Sequence, residues 1–116
     1  MFGFESLGVY EKAREFNYKI RMLIKSLNLD FSTENQLRRA SLSVVLNISE
    51  GTSRFSKKDV RRFYIITRGS LHECVSILDV LQYEQSFNRK SYDLLYQEAE
   101  ILSRTIFKLI KNLSDD

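Results

Sequence analysis

Six cationic side chains crowd the middle of this 116-residue chain: Arg54, Lys57, Lys58, Arg61, Arg62 and Arg68. Lysine and arginine at this density suit phosphate. Such contacts to a nucleic-acid backbone carry no base sequence and weaken steeply with salt. Lys57-Lys58 and Arg61-Arg62 recur four residues apart, so on a helix they occupy successive turns. Ser56 just before them can cap a helix, with Asp59 near the positive end of its dipole, and the free backbone donors there also favour phosphate. Two readings stay open: a phosphate-binding patch, or a solvated face partly neutralised by acidic residues of the last helix or of a neighbour. Folded or double-stranded RNA suits the patch better than single strands, because the nearby aromatics Phe63 and Tyr64 fall on the core face.

Catalytic chemistry is poorly provided for. His72 is the only histidine, and helical geometry puts it with Arg61, Arg68 and Asp79 on an outer face. A bundle di-iron site needs two Glu-x-x-His motifs, which one histidine cannot supply. Cys74, the only cysteine, cannot form an internal disulfide and sits among apolar residues, so it reads as a buried thiol. No phosphate-binding glycine loop or zinc-ligand spacing occurs. Glu50 and Glu73 can face each other across two helices, but a structural role beside Arg39 or Arg54 fits them better. The residues point to a non-enzyme with no metal and no cofactor. A helix-turn-helix over residues 47–64 fits poorly, since the first helix is too long and Lys57 stands where an apolar residue belongs.

Long helices must carry these groups. Proline is absent and only four glycines occur, so little interrupts a helix. Apolar residues at helical spacing predict helices over about 5–27, 33–50, 57–85 and 89–113. Their inward stripes are Val9, Ala13, Phe16, Ile20, Leu23, Ile24 and Leu27; Leu37, Ser41, Val44 and Ile48; Val60, Phe63, Tyr64, Thr67, Leu71, Cys74, Leu78 and Leu81; and Leu95, Ala99, Leu102, Ile106, Leu109 and Leu113. Thr33 and Gln36 match a capping box, Gly51 suits a left-handed helix end, and Ser56 and Asn88 suit N-caps. Short connections make neighbours antiparallel. The expected fold is all-α: one antiparallel, up-down-up-down four-helix bundle domain over residues 1–116. No secretion signal is visible at the start, and no apolar run approaches the ~20 residues of a membrane span. The expectation is a cytoplasmic protein with no membrane partner.

The second helix is apolar over more than one stripe. Leu42, Val45 and Leu46 spread over a face that one core cannot cover, and the first helix adds Tyr10 and Tyr18 off its main stripe. Apolar faces of this kind commonly mark interfaces, so a homo-oligomer is expected, with these five residues at its interface. On the remaining side Arg39, Ser43, Asn47, Glu50 and Arg54 fall within about 80° of one another. That polar stripe reads either as a satisfied network fixing register between helices or subunits, or as a ligand contact.

Charge is unevenly distributed. Residues 36–68 carry eight basic and two acidic groups, whereas residues 69–116 carry five basic and eight acidic. The basic middle can attract an anionic partner, and the acidic tail can repel that partner or pair with the basic segment.

These residues also form a pattern. Arg38-Arg39-Ala40, Ser43, Asn47-Ile48-Ser49-Glu50-Gly51, Arg54, Gly69-Ser70 and Glu73, after the opening FESLGVYEKA, resemble the 23S rRNA intervening sequence proteins, also called the S23 ribosomal protein or four helix bundle family. Ser49 stands where alanine is usual in that family, and the usual prolines near the second helix are missing. The resemblance implies an antiparallel four-helix bundle assembled as a ring, a pentamer. It also implies a link to ribosomal RNA, because some members are encoded within inserts of the 23S rRNA gene. Related bundles serve as accessory factors for reverse transcriptases and bind nucleic acid there. Two partner classes follow: ribosomal or other structured RNA, or a protein such as a polymerase, for which the bundle is a scaffold with no nucleic-acid contact.

Overall fold

A computed structural model describes residues 2–113, apart from the side chains of Glu5 and Ser6. A short 3-10 turn at Gly3–Ser6 leads into α1 (Gly8–Ser26), followed by α2 (Phe31–Thr52), α3 (Lys57–Tyr83) and α4 (Arg89–Asn112). The helices run up, down, up and down. Gly51 lies against Phe63, Ser43 bonds Ser70 across α2 and α3, and Tyr92 reaches Asp79 across α3 and α4. Lys19 bonds Glu98 and so closes the bundle between α1 and α4. The result is 45 Å long, about the length of its longest helix at ~1.5 Å per residue. α2 and α3 thus lie side by side, not at the roughly 90–120° of a helix-turn-helix.

Each helix contributes its predicted stripe. Phe16, Ile20 and Ile24, then Leu37, Val44 and Ile48, then Leu71, Cys74 and Leu78, then Leu102 and Ile106 are fully or almost fully buried and pack together. Ser41 is a buried polar residue, and its hydroxyl donates to Asn17 Oδ1 at 2.8 Å, pinning α2 to α1. The same hydroxyl lies 3.2 Å from the Arg38 carbonyl, a second acceptor within α2.

Two local expectations are corrected. The capping box at Thr33 does not form: α2 begins earlier, and Asp30 caps it by accepting the Thr33 amide at 3.0 Å. Hydrogen bonding by the Thr33 side chain, and then by its amide, holds the Asp30 carboxyl below its usual pKa. Gly51 does not end α2 in a left-handed turn; it is buried inside the helix, which runs on to Thr52. Its missing side chain serves packing instead, since a Cβ there would stand 3.1 Å from that of Phe63. The left-handed residue is Gln85, with φ 60°, in the connection from α3 to α4. Ser56 and Asn88 cap α3 and α4 as expected, by accepting the Asp59 and Ser91 amides.

Candidate nucleic-acid interface

Antiparallel packing decides which charges meet. The N-terminal half of α3 lies beside the C-terminal half of α4, as the approach of Arg68 to Phe107 shows. That stretch of α4, residues 101–112, contains Arg104, Lys108 and Lys111 and no acidic residue. The acidic residues of α4, Asp93, Glu98 and Glu100, belong to its other half. The expectation that an acidic last helix offsets the basic segment is therefore corrected within the described residues, beyond which lie Asp115 and Asp116. Segments 50–68 and 101–112 together hold nine basic and two acidic side chains. The α3–α4 side of this end of the bundle is strongly basic.

Within it the six predicted cations divide into two groups. Arg54 ion-pairs with Glu50 at 3.1 Å and lays its guanidinium 4.6 Å from the Phe63 ring centre. Arg62 covers the same ring at 4.8 Å and stands 3.9 Å from Asp59. Phe63 is therefore only half-buried, a correction to its expected place on the core face: it spans the core edge and two arginines. Lys57 and Lys58 open α3 fully in solvent. Together with Arg61 and Arg68 they make no ion pair with any described residue. Arg61 is half-buried on the α4 side, with its Nε buried and lacking a hydrogen-bond partner. Arg68 lies 5.2 Å above the Phe107 ring, on which Lys111 also bears at 5.9 Å.

The polar stripe splits as well. Asn47 donates to the Ser43 carbonyl and to its hydroxyl, both at 2.9 Å, and Ser43 and Ser70 hydroxyls meet at 2.7 Å. This network ties α2 to α3 inside one chain. Glu50 and Arg54 form their own pair, while Arg39 and Glu73 are exposed and join none of these bonds. Of the five expected interface residues, Val45 is only 6% exposed and belongs to the chain's own core, a correction to its place on an uncovered face. Leu46 and Tyr18 are largely exposed, and Leu42 and Tyr10 are half-buried. Tyr10 packs against Phe4 and under Arg14.

Sequence reasoning missed two aromatics and the α4 cations. Phe55, in the connection between Arg54 and Lys57, is fully exposed. Phe107 is 43% exposed beside Arg68. The signal for the α4 group was present: Arg104, Lys108 and Lys111 recur at helical spacing off the apolar stripe. His72 is exposed, and burial pushes the Cys74 thiol up to about 12. Among the described residues no group of three His, Cys, Asp or Glu could hold a metal ion, and no helix is long and apolar enough to cross a membrane.

Comparison with known proteins bears on the family and the fold. The sequence model of the 23S rRNA-intervening sequence proteins matches residues 5–108. A solved structure, from Bacteroides thetaiotaomicron, is a protein of unknown function from the S23 ribosomal protein family. It superposes with a TM-score of 0.84 at 23% identity, covering 89% of this chain and 98% of that one. At that identity the likeness speaks for the fold. Among curated proteins none matches the chain.

Proposed function

The chain belongs to the 23S rRNA-intervening sequence protein family, and from that premise we propose that it is a non-catalytic, homo-oligomeric bundle that binds structured RNA or a ribonucleoprotein through its basic end. The observation that carries this reading is the meeting of two basic segments, α3 from Lys57 to Arg68 and α4 from Arg104 to Lys111, with no acid from α4 between them. Among the described residues Lys57, Lys58, Arg61 and Arg68 have no carboxylate partner, so phosphate would meet them without displacing one of these. Phe55 adds an exposed ring among these charges.

The test is binding to a labelled, structured ribosomal RNA fragment. With four phosphate contacts, affinity should fall about a hundredfold between about 50 and 200 mM salt. Reversing Lys57, Lys58, Arg61 and Arg62 to glutamate should abolish it. Unchanged affinity in that variant, or no binding by the wild type at low salt, would sink the reading.

Oligomerisation rests on separate observations. Leu46 is 53% exposed and Tyr18 62% exposed, with Leu42 half-buried near the first of them. A second copy would cover such a face, and a strictly monomeric mass at micromolar concentration would refute this. The same apolar exposure supports the second reading, a scaffold or accessory factor for a polymerase-type protein. In that case RNA binding is absent and Leu46→Glu abolishes capture of the protein partner.

A further inference from the structure

A groove runs along the seam between α3 and α4. Its wider part, about 590 Å³, is lined by Arg61, Ile65, Arg68, Gly69, His72 and Phe107. Beyond Arg68 and His72 it continues into a recess of about 210 Å³ that reaches Tyr96, Glu100 and Ser103. Gly69 lines the wide part, and nothing lies within 4 Å of where its Cβ would be. The lining combines two partly exposed aromatic rings, Phe107 and Tyr96, with arginines that have no ion-pair partner among the described residues. The volume is within the range of small-ligand sites, about 300–1,000 Å³.

We propose, building on the RNA reading, that this groove seats an unpaired nucleotide of the bound RNA, its base stacked on Phe107 and its phosphate on Arg61. A flat base has a π-face whatever its identity, and it stacks on the Phe107 ring by displacing the Arg68 guanidinium, which lies 5.2 Å from that ring's centre and would then move onto the outer face of the base. Arg61 supplies the anchor: it lines the wide part of the groove, and its guanidinium forms no ion pair among the described residues. Polarity follows from charge. Glu100 at the far end repels phosphate, whereas Lys57 and Lys58 stand one turn beyond Arg61. The backbone therefore leaves the groove toward the basic end, and paired RNA continues there. The expectation that no aromatic near the patch can stack a base came from Phe63 and Tyr64; Phe107 enters the site from another helix.

The experiment compares two hairpins with one stem, the first fully paired and the second carrying a 2-aminopurine bulge. Affinity is read by anisotropy of an end label, and stacking by 2-aminopurine quenching. Wild type should bind the bulged hairpin about tenfold tighter, since one stacked base contributes roughly a factor of five to a hundredfold or more, and should quench the bulge. Phe107→Leu, which keeps an apolar body, should lose both effects while holding the paired hairpin as before. Phe107→Tyr, which keeps the ring, should retain both. Equal affinities in wild type, or a bulge preference that survives Phe107→Leu, would overturn the groove assignment yet leave the RNA reading standing. If neither hairpin binds at about 50 mM salt, both fall.

Discussion

Gly51 and Phe63 meet between α2 and α3 at the basic end: a Cβ on the glycine would lie 3.1 Å from the Cβ of the phenylalanine. Phe63 in turn carries Arg54 and Arg62 on its ring. The glycine therefore sets the spacing of the two helices and, through Phe63, the position of two cations. Gly51→Ala should stay within about 1 kcal/mol of wild type, because the helix preference of alanine, about 1 kcal/mol, offsets a small displacement. Gly51→Leu should lose about 2–3 kcal/mol through overpacking. Urea unfolding of both variants checks this, and a leucine variant of wild-type stability would show that the helices separate freely.

Lys108 and Lys111 belong to the basic end only through the fold. Reversing both to glutamate should weaken RNA binding about as much as reversing Lys57 and Lys58, and should lower the magnitude of the salt slope by about 0.7–0.9 for each lost contact. Reversing Lys90 near the start of α4, toward the opposite end, should have little effect. Titrations at several salt concentrations decide it, and equal losses from both ends of α4 would mean net charge alone is read.

Gln85 holds a left-handed backbone, φ 60°, which a residue with a Cβ adopts at a cost of about 1–2 kcal/mol. Gln85→Gly should therefore stabilise the protein by about 0.5–1 kcal/mol despite the greater freedom of glycine when unfolded. Gln85 is exposed and far from the basic end, so RNA affinity should not move. Thermal and urea unfolding give the sign directly.

Cys74 is fully buried, and burial raises its thiol to about 12. A raised folded pKa favours the protonated form, so this contribution to stability is complete below the unfolded thiol value and is lost as pH rises toward about 12. A thiol reagent at pH 8 should label the folded protein far more slowly than the protein in denaturant. Equal labelling rates would mean that α3 opens readily around Cys74.

Local information in the sequence determined the helices, their inward stripes and two of their caps, because spacing and capping depend on residues within a turn or two of each other. Ser56 and Asn88 show this: each cap bond closes over three residues. Asp30 and Gly51 show its limit. Asp30 outcompeted Thr33 for the start of α2, and Gly51 was claimed by Phe63, twelve residues away. The six cations of the middle segment were legible, and so was their suitability for phosphate. Their setting was not. Summing charge along the chain averaged the acidic and basic halves of α4, whereas antiparallel packing laid only the basic half against the start of α3. The same packing brought Phe107 to Arg68 and opened the groove beside Gly69, relationships between residues far apart in the chain that no spacing within one helix encodes.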